Sequence, residues 1–286
     1  MTTILPKRFG VHAPLSGGLK GSLQWAADAT SNAIQIFSGN PSAWKGRPWS
    51  GADCAAFDER RRAMDITPCV LHTPYLINLA TPDDNNWTKS KGMLSDALAQ
   101  ATRSGSEYVN SHIGSHLGSG MDAGVARVAE ALREVLSADG SGVVVLLETT
   151  NGSGNLVGSH FDELAAVLDA CGPVRDRVGV CIDTAHIWAA GYDISSEEST
   201  TAVIDDFDRQ IGLDKLLCIH ANDNRRAFNG KSDVHQDIGE GEIGPAAFRA
   251  LVNDTRLAHV PFILETPKEN PGDDRRNLDV LRGYQV

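Results

Sequence analysis

The chain has 286 residues, 41% hydrophobic and 22% charged, a globular composition that excludes a disordered protein. Its formal net charge of −11 argues against non-specific binding to nucleic acid as long as no cation is bound. No run approaches the roughly 18 apolar residues of a membrane span, and Met1 to Gly10 lacks an apolar h-region and a cleavage signature, so a cytoplasmic protein with no membrane partner is expected. The cysteines at positions 54, 69, 171, 181 and 218 are odd in number and form no Cys-x-x-Cys, which fits free thiols in a reducing compartment.

Short apolar runs alternate with longer amphipathic ones. The expected strands are Phe9–Val11, Ala33–Phe37, Cys69–Leu71, Tyr108–Asn110, Val143–Leu147, Val178–Ile182, Leu216–Ile219 and Phe262–Leu264. Helical spacing marks Cys54–Met64, Lys89–Thr102, Val125–Leu136, Phe161–Asp169, Thr201–Ile211, Pro245–Val252 and a closing segment near Asn277–Arg282. Gly114–Gly124, Gly152–Gly158 and Asp223–Gly244 are rich in Gly, Ser and Asn and read as loops. Alternation implies parallel pairing, and eight units in this length fit an α/β fold of the (β/α)₈ TIM-barrel type, one domain spanning 1–286.

The residues at or just past the strand ends are His12, Ser38, His72, His112, Glu148, Asp183, His220 and Glu265. From His72 onward the steps are 40, 36, 35, 37 and 45 residues, one βα unit each. The C-terminal strand ends of such a barrel converge on one face, where active sites lie. A strand-end carboxylate is more often a helix cap than a ligand, but six successive strands ending in imidazole or carboxylate make a metal centre the better reading. His186 follows Asp183 by three residues, and Asp233 and His235 lie two apart in the seventh loop, giving nine candidate ligands. A catalytic zinc takes about three protein ligands plus water, so nine suit three ions. The N/O set suits Zn²⁺ and is open to Mn²⁺ or Fe²⁺. Clustered divalent ions favour phosphoryl-ester cleavage, and three would bring the formal charge from −11 to about −5, leaving an electropositive pocket in an acidic chain.

Seven stretches carry a resemblance to a known family. They are His72-Thr-Pro-Tyr-Leu-Ile-Asn78, His112-Ile-Gly-Ser-His116, Leu147-Glu148-Thr149, Gly179-Val-Cys-Ile-Asp-Thr-Ala-His186, His220-Ala-Asn-Asp223, Asp233-Val-His235 with Ile238-Gly-Glu-Gly-Glu-Ile-Gly244, and Ile263-Leu-Glu-Thr-Pro267. Over nearly its whole length the chain resembles endonuclease IV, the zinc-dependent apurinic/apyrimidinic (AP) endonucleases of base-excision repair. The resemblance implies a monomeric TIM barrel that holds three zinc ions. It implies hydrolysis of the phosphodiester 5′ to abasic sites in double-stranded DNA, leaving a 3′-hydroxyl. One zinc would take His72, His112 and Glu148. A second would share Glu148, the bridging and catalytic carboxylate, and add Asp183, His220 and Glu265. The third would take His186, Asp233 and His235. The nucleophile would be a metal-bridging hydroxide.

For DNA the resemblance implies a minor-groove wedge made by Tyr75 and Leu76, which would help flip the abasic nucleotide out. Lys45 falls where the family usually has Arg, and Lys lacks the planar fork. Arg225, Arg226 and Lys231 are candidate phosphate contacts. His12 and His116 read as supporting residues. Ile113, Thr149 and Gln236 depart from the family pattern without removing a ligand. The alternative is a xylose-isomerase-like sugar isomerase or epimerase, which would use Glu148, Asp183, His220 and Glu265 around one or two ions and leave the other five ligands unexplained.

Overall fold

The computed structural model describes residues 7–44 and 48–286. The strands in chain order are β1 (Phe9–His12), β2 (Ala33–Phe37), β3 (Cys69–His72), β4 (Tyr108–His112), β5 (Val144–Glu148), β6 (Val178–Asp183), β7 (Leu216–His220), β8 (Asp223–Asn224), β9 (His235–Gln236) and β10 (Phe262–Leu264). Eight of them close a parallel barrel in the order β1, β10, β7, β6, β5, β4, β3, β2. The two short ones, β8 and β9, pair antiparallel inside the loop after β7. Every expected barrel strand is present. Several run one or two residues further than expected, so that His12, His72, His112, Glu148, Asp183 and His220 lie within strands.

The helices are α1 (Gly18–Asp28), α2 (Gly51–Ala63), α3 (Asp84–Ser104), α4 (Met121–Ala138), α5 (Phe161–Ala170), α6 (Thr184–Ala190), α7 (Glu197–Gln210), α8 (Pro245–Asn253) and α9 (Asp273–Gly283). Two of these have no counterpart among the expected helices. Gly17 precedes α1 and Gly18 and Gly21 lie in its first turn, and glycine is a poor helix former, so packing of Leu19, Leu23 and Ala26 has to hold it. All seven residues of α6 are buried, so it shows no polar face from which a period could be read. The fourth loop is shorter than Gly114–Gly124, because α4 already begins at Met121. Among the described residues no helix is long and apolar enough to cross a membrane, and the five cysteines are free and buried.

Strand alternation sorts the side chains into two sets. Ile34, Leu71, Val109, Leu147, Ile182, Ile219 and Leu264 pack in the large cluster shared with the helices. Ala33, Val70, Leu146, Cys181, Cys218 and Ile263 form a separate small cluster, which fills the barrel interior. Gly10 completes it, because a Cβ there would lie 2.6 Å from both Ile263 Cδ1 and the Ala33 carbonyl oxygen. Two residues further along the same strands come His12, Gln35, His72, Glu148, Asp183, His220 and Glu265. The barrel is thus plugged below and polar above, and burial of each large aliphatic plug residue (Val70, Leu146, Ile263) contributes roughly 1.5–3 kcal/mol.

Candidate metal centre

The polar residues above the plug converge. His72 Nε2 lies 3.2 Å from Glu148 Oε2, and His112 Nε2 lies 3.9 Å from the same oxygen. His220 Nδ1 faces Glu148 Oε1 at 3.3 Å, Glu265 Oε2 at 3.3 Å and Asp183 Oδ2 at 3.8 Å. His235 Nε2 lies 3.8 Å from Asp183 Oδ2 and 3.7 Å from Asp233 Oδ2, while His186 Nε2 lies 3.6 Å from Asp233 Oδ2. Eight of the nine candidate ligands fall into three groups whose donor atoms all lie within 4.8 Å of one another: His72, His112 and Glu148; Glu148, Asp183, His220 and Glu265; and Asp183, His186 and His235. Asp233 adjoins the third through its contacts to His186 and His235. Asp183 belongs to two groups, a sharing that the family resemblance assigns only to Glu148.

These spacings fit divalent ions. Two ligands each about 2.0 Å from a tetrahedral zinc stand about 3.3 Å apart, and most of the observed distances are at or a little above that. His235 Nε2 is buried and has no hydrogen-bond partner among the described residues, although it faces two carboxylates. The ring orientations fit too. Thr73 O accepts from His72 Nδ1 at 2.7 Å, Thr149 O from His186 Nδ1 at 2.8 Å and Glu265 O from His235 Nδ1 at 3.1 Å, which turns each Nε2 inward as a free donor. Amides hold the carboxylates. Asn110 Nδ2 donates to Glu148 Oε2 at 2.6 Å, Asn222 Nδ2 to Asp183 Oδ2 at 2.7 Å and Asn151 Nδ2 to Asp233 Oδ1 at 2.5 Å.

Packing four carboxylates against five imidazoles shifts their protonation. Burial pushes the Glu148 carboxyl up, but His112 and His220 outweigh it and hold it well below the usual carboxylate range. Burial acts likewise on Glu265, and His220 and His12 pull it well below. Burial lowers His220, yet Glu265 and Glu148 raise it well above an ordinary histidine. His186 is pushed up to about 10, burial being overcome by Asp183 and Asp233. His112 is lowered, chiefly by burial and also by the neighbouring His72 and His186. Without a cation the cluster holds its own protons in place of metal.

The loops explain several of the sequence motifs. Asp223 is buried and accepts backbone N–H groups from Gly239 and Gly241 at 3.0 Å and from Ile243 at 3.1 Å. The Ile238-Gly-Glu-Gly segment therefore wraps a carboxylate, and a Cβ at Gly241 would collide with it. This closes the seventh loop and brings Asp233 and His235 over the barrel. Asn78 ties the third loop to the fourth, its Oδ1 accepting from Ser115 N at 3.0 Å and its Nδ2 donating to Ser115 O at 3.0 Å. His116 accepts from Gly118 N and Gly120 N, a loop-holding role. His12 sits under the centre, with Nδ1 2.7 Å from Glu265 Oε1. Thr149 accepts the Asp183 N–H through Oγ1 at 2.9 Å. Ile113 is buried and its carbonyl accepts from Leu79 N at 3.0 Å, while Gln236 accepts from Arg225 Nε at 2.9 Å.

The expected DNA-contact residues are spread over the rim. Tyr75 is 61% exposed, with its ring 5.9 Å from His72 and 6.0 Å from His112. It borders an open groove that also meets His12, Phe37, His235, Glu265 and Lys268. Leu76 is half-buried and packs against the main core. Arg225 and Arg226 are exposed in the seventh loop. The Lys231 ammonium donates to the Ala190 carbonyl at 2.8 Å, so a phosphate contact requires it to change partner. Lys45 lies outside the described residues. Gln35 and Asn110 escaped the reading of strand ends. The available signal was an amide two residues beyond an inward-facing position of a buried strand.

The family described as xylose isomerase-like TIM barrels matches residues 23–284. A probable endonuclease 4 of Chloroflexus aggregans is 42% identical over 278 residues, 96% of each chain. One from Natronomonas pharaonis is 40% identical over 261 residues, 91% of this chain and 92% of its own. The crystal structure of endonuclease IV from Thermus thermophilus superposes with a TM-score of 0.85 at 35% identity, covering 97% of this chain and 98% of that one. A D-tagatose 3-epimerase-like protein superposes with a TM-score of 0.72 at 21% identity over 97% and 96% of the two chains, a likeness of fold alone.

Proposed function

Because this chain belongs to the endonuclease IV family of xylose isomerase-like barrels, we propose that it is a DNA-repair endonuclease that hydrolyses the phosphodiester 5′ to abasic sites in duplex DNA and leaves a 3′-hydroxyl. The observation that carries this reading is the continuous set of nine donors. Glu148 turns one oxygen towards His72 and the other towards His220. Among the described residues it is the one side chain that belongs both to the His72–His112 group and to the Asp183–His220–Glu265 group. Three zinc ions are the assigned complement, with Mn²⁺ or Fe²⁺ as substitutes. When bound, such ions lower the pKa of coordinated water towards about 7 and neutralise the attacking and leaving oxygens of a phosphodiester.

The protein's own groups do the rest. Four carboxylates and five neutral imidazoles form the cradle, and the Asn110, Asn222 and Asn151 amides fix the carboxylate rotations. In this reading Tyr75 enters the duplex where a base is missing, with Leu76 behind it; the 61% exposure of Tyr75 and its ring 5.9 Å from His72 support it. Unstacking is least costly at a damaged nucleotide, which supplies selectivity. Arg225, Arg226, Lys231 and Lys45 are the assigned phosphate contacts. One domain, residues 1–286, acts as a monomer in this reading. A sugar epimerase would need only Glu148, Asp183, His220 and Glu265, and would leave His72, His112, His186, Asp233 and His235 without a task.

A labelled duplex with one tetrahydrofuran abasic analogue tests the proposal. Metal-dependent incision on its 5′ side, giving an end that a polymerase extends, is expected, with about three zinc per chain by elemental analysis. No incision at micromolar enzyme, or a single ion per chain, would overturn it.

A further inference from the structure

Gln35 is a fully buried amide in the middle of the apolar strand β2. A buried amide left unpaired costs roughly 1–3 kcal/mol, so its partners are the reason it can stand there. Its Nε2 donates to Glu265 Oε1 at 2.7 Å, and its Oε1 accepts from His220 Nε2 at 2.9 Å. The carboxylate accepts only, which fixes the amide's orientation: nitrogen towards Glu265, oxygen towards His220. Neither β7 nor β10 adjoins β2 in the barrel. One side chain therefore spans the interior and grips two candidate ligands.

The grip has a chemical consequence. His72, His186 and His235 give Nδ1 to backbone carbonyls and turn Nε2 inward. His220 is reversed. Its Nε2 must carry the hydrogen that Gln35 accepts, which leaves Nδ1 facing the oxygens of Glu148, Glu265 and Asp183. On Glu265, Gln35 and His12 both occupy Oε1 and leave Oε2 towards His220. We infer that Gln35 is a positioning residue, which sets the tautomer of His220 and the free oxygen of Glu265 for the ion held by Glu148, Asp183, His220 and Glu265. The inference rests on the metal-centre reading above and names a determinant outside its ligand set. Only an amide serves both ends, since a carboxylate at 35 would repel Glu265 and an apolar side chain would hold neither partner.

Zinc-loaded protein with ¹⁵N-labelled histidine tests this by long-range ¹H–¹⁵N correlation. His220 is expected as the Nε2–H form, opposite to His72, His186 and His235. Gln35→Met, close in volume and unable to bond, is expected to weaken zinc binding by roughly 10–100-fold and to lose the slowly exchanging His220 Nε2–H. Gln35→Glu is expected to keep that hydrogen and still lose affinity, which separates the two ends of the amide. If Gln35→Met does not fold, the wild-type spectrum decides: a His220 carrying its hydrogen on Nδ1 overturns the inference. Zinc uptake indifferent to Gln35→Met overturns it as well. A wild-type chain that takes up no metal overturns the metal-centre reading itself and this inference with it.

Discussion

Asp183 divides its two oxygens between architecture and chemistry. Oδ1 accepts the backbone N–H of His186 at 3.0 Å and so caps α6, while Oδ2 stands 3.8 Å from both His220 Nδ1 and His235 Nε2. Capping and ligation are commonly weighed as rival explanations of a strand-end aspartate. In this site one oxygen caps α6 while the other faces two imidazoles, and the cap sets where the His186 ring begins.

Substitution separates the two tasks. Asp183→Asn keeps a capping oxygen but loses the charge that raises His186, so below the His186 titration metal-free stability is expected to fall together with metal content. Asp183→Ala is expected to lose about a further 1 kcal/mol, the usual worth of a cap. Thermal unfolding of the stripped proteins beside elemental analysis checks this. Equal stability of the two variants would show that the cap contributes nothing.

Glu148→Gln retains shape and loses charge at the carboxylate common to two groups. Nicking of abasic duplex should fall by more than the roughly 10–100-fold that loss of an outer partner of a metal ligand costs. A rate within tenfold of wild type, measured by single-turnover incision, would remove Glu148 from its assigned role.

Much of this centre could be read along the chain, because an ionisable residue closing an apolar strand breaks the composition of its surroundings. His72, Glu148, Asp183, His220 and Glu265 stand out for that reason. Gln35 and Asn110 do not, since an amide within a strand looks like a minor interruption until its partners across the barrel are known. Burial on all sides hides the helix α6, and glycines hide α1. Asp223 resembles part of a ligand motif, yet its carboxylate is spent on loop backbone.

Proton release should accompany metal uptake. In the metal-free protein His186 titrates at about 10 rather than its ordinary 6.5. Its charged pairing with Asp183 and Asp233 therefore stabilises the fold fully below pH 6.5, and that contribution disappears as pH rises through about 10. Metal needs the neutral ring, so apparent zinc affinity should climb over the same interval. Calorimetric titration in buffers of different ionisation enthalpy checks this, and a pH-independent affinity with no buffer dependence would contradict it.

Gly241→Ala places a methyl group against the Asp223 carboxylate and the Asn224 carbonyl. Overpacking of this kind typically costs about 1–3 kcal/mol, and the seventh loop should move rather than the barrel. The expected result is selective loss of the ion assigned to His186, Asp233 and His235, from about three zinc per chain towards two. Metal analysis together with circular dichroism checks it; uniform loss of all three would mean that the loop is not independent.

Tyr75→Ala removes a ring that is 61% exposed, so folding stability should change by less than about 0.5 kcal/mol. Binding to abasic duplex should weaken by about 1–3 kcal/mol, the range for loss of a stacking side chain, and binding to intact duplex by much less. Equal losses on the two duplexes, measured by fluorescence anisotropy at one salt concentration, would make Tyr75 a packing residue.

The spacing of two residues between plug and donor has a consequence for how this protein can change over time. Cys181 and Asp183 share a face of β6, and Ile182 between them faces the helices. One residue gained or lost within such a strand would turn the acid outward and carry an aliphatic side chain into the centre. An extra residue is tolerated within a strand only where a bulge absorbs it, as at the register shift between β6 and β7 beside Val180 and Cys181, so the spacing from plug to donor acts as a ruler for the centre.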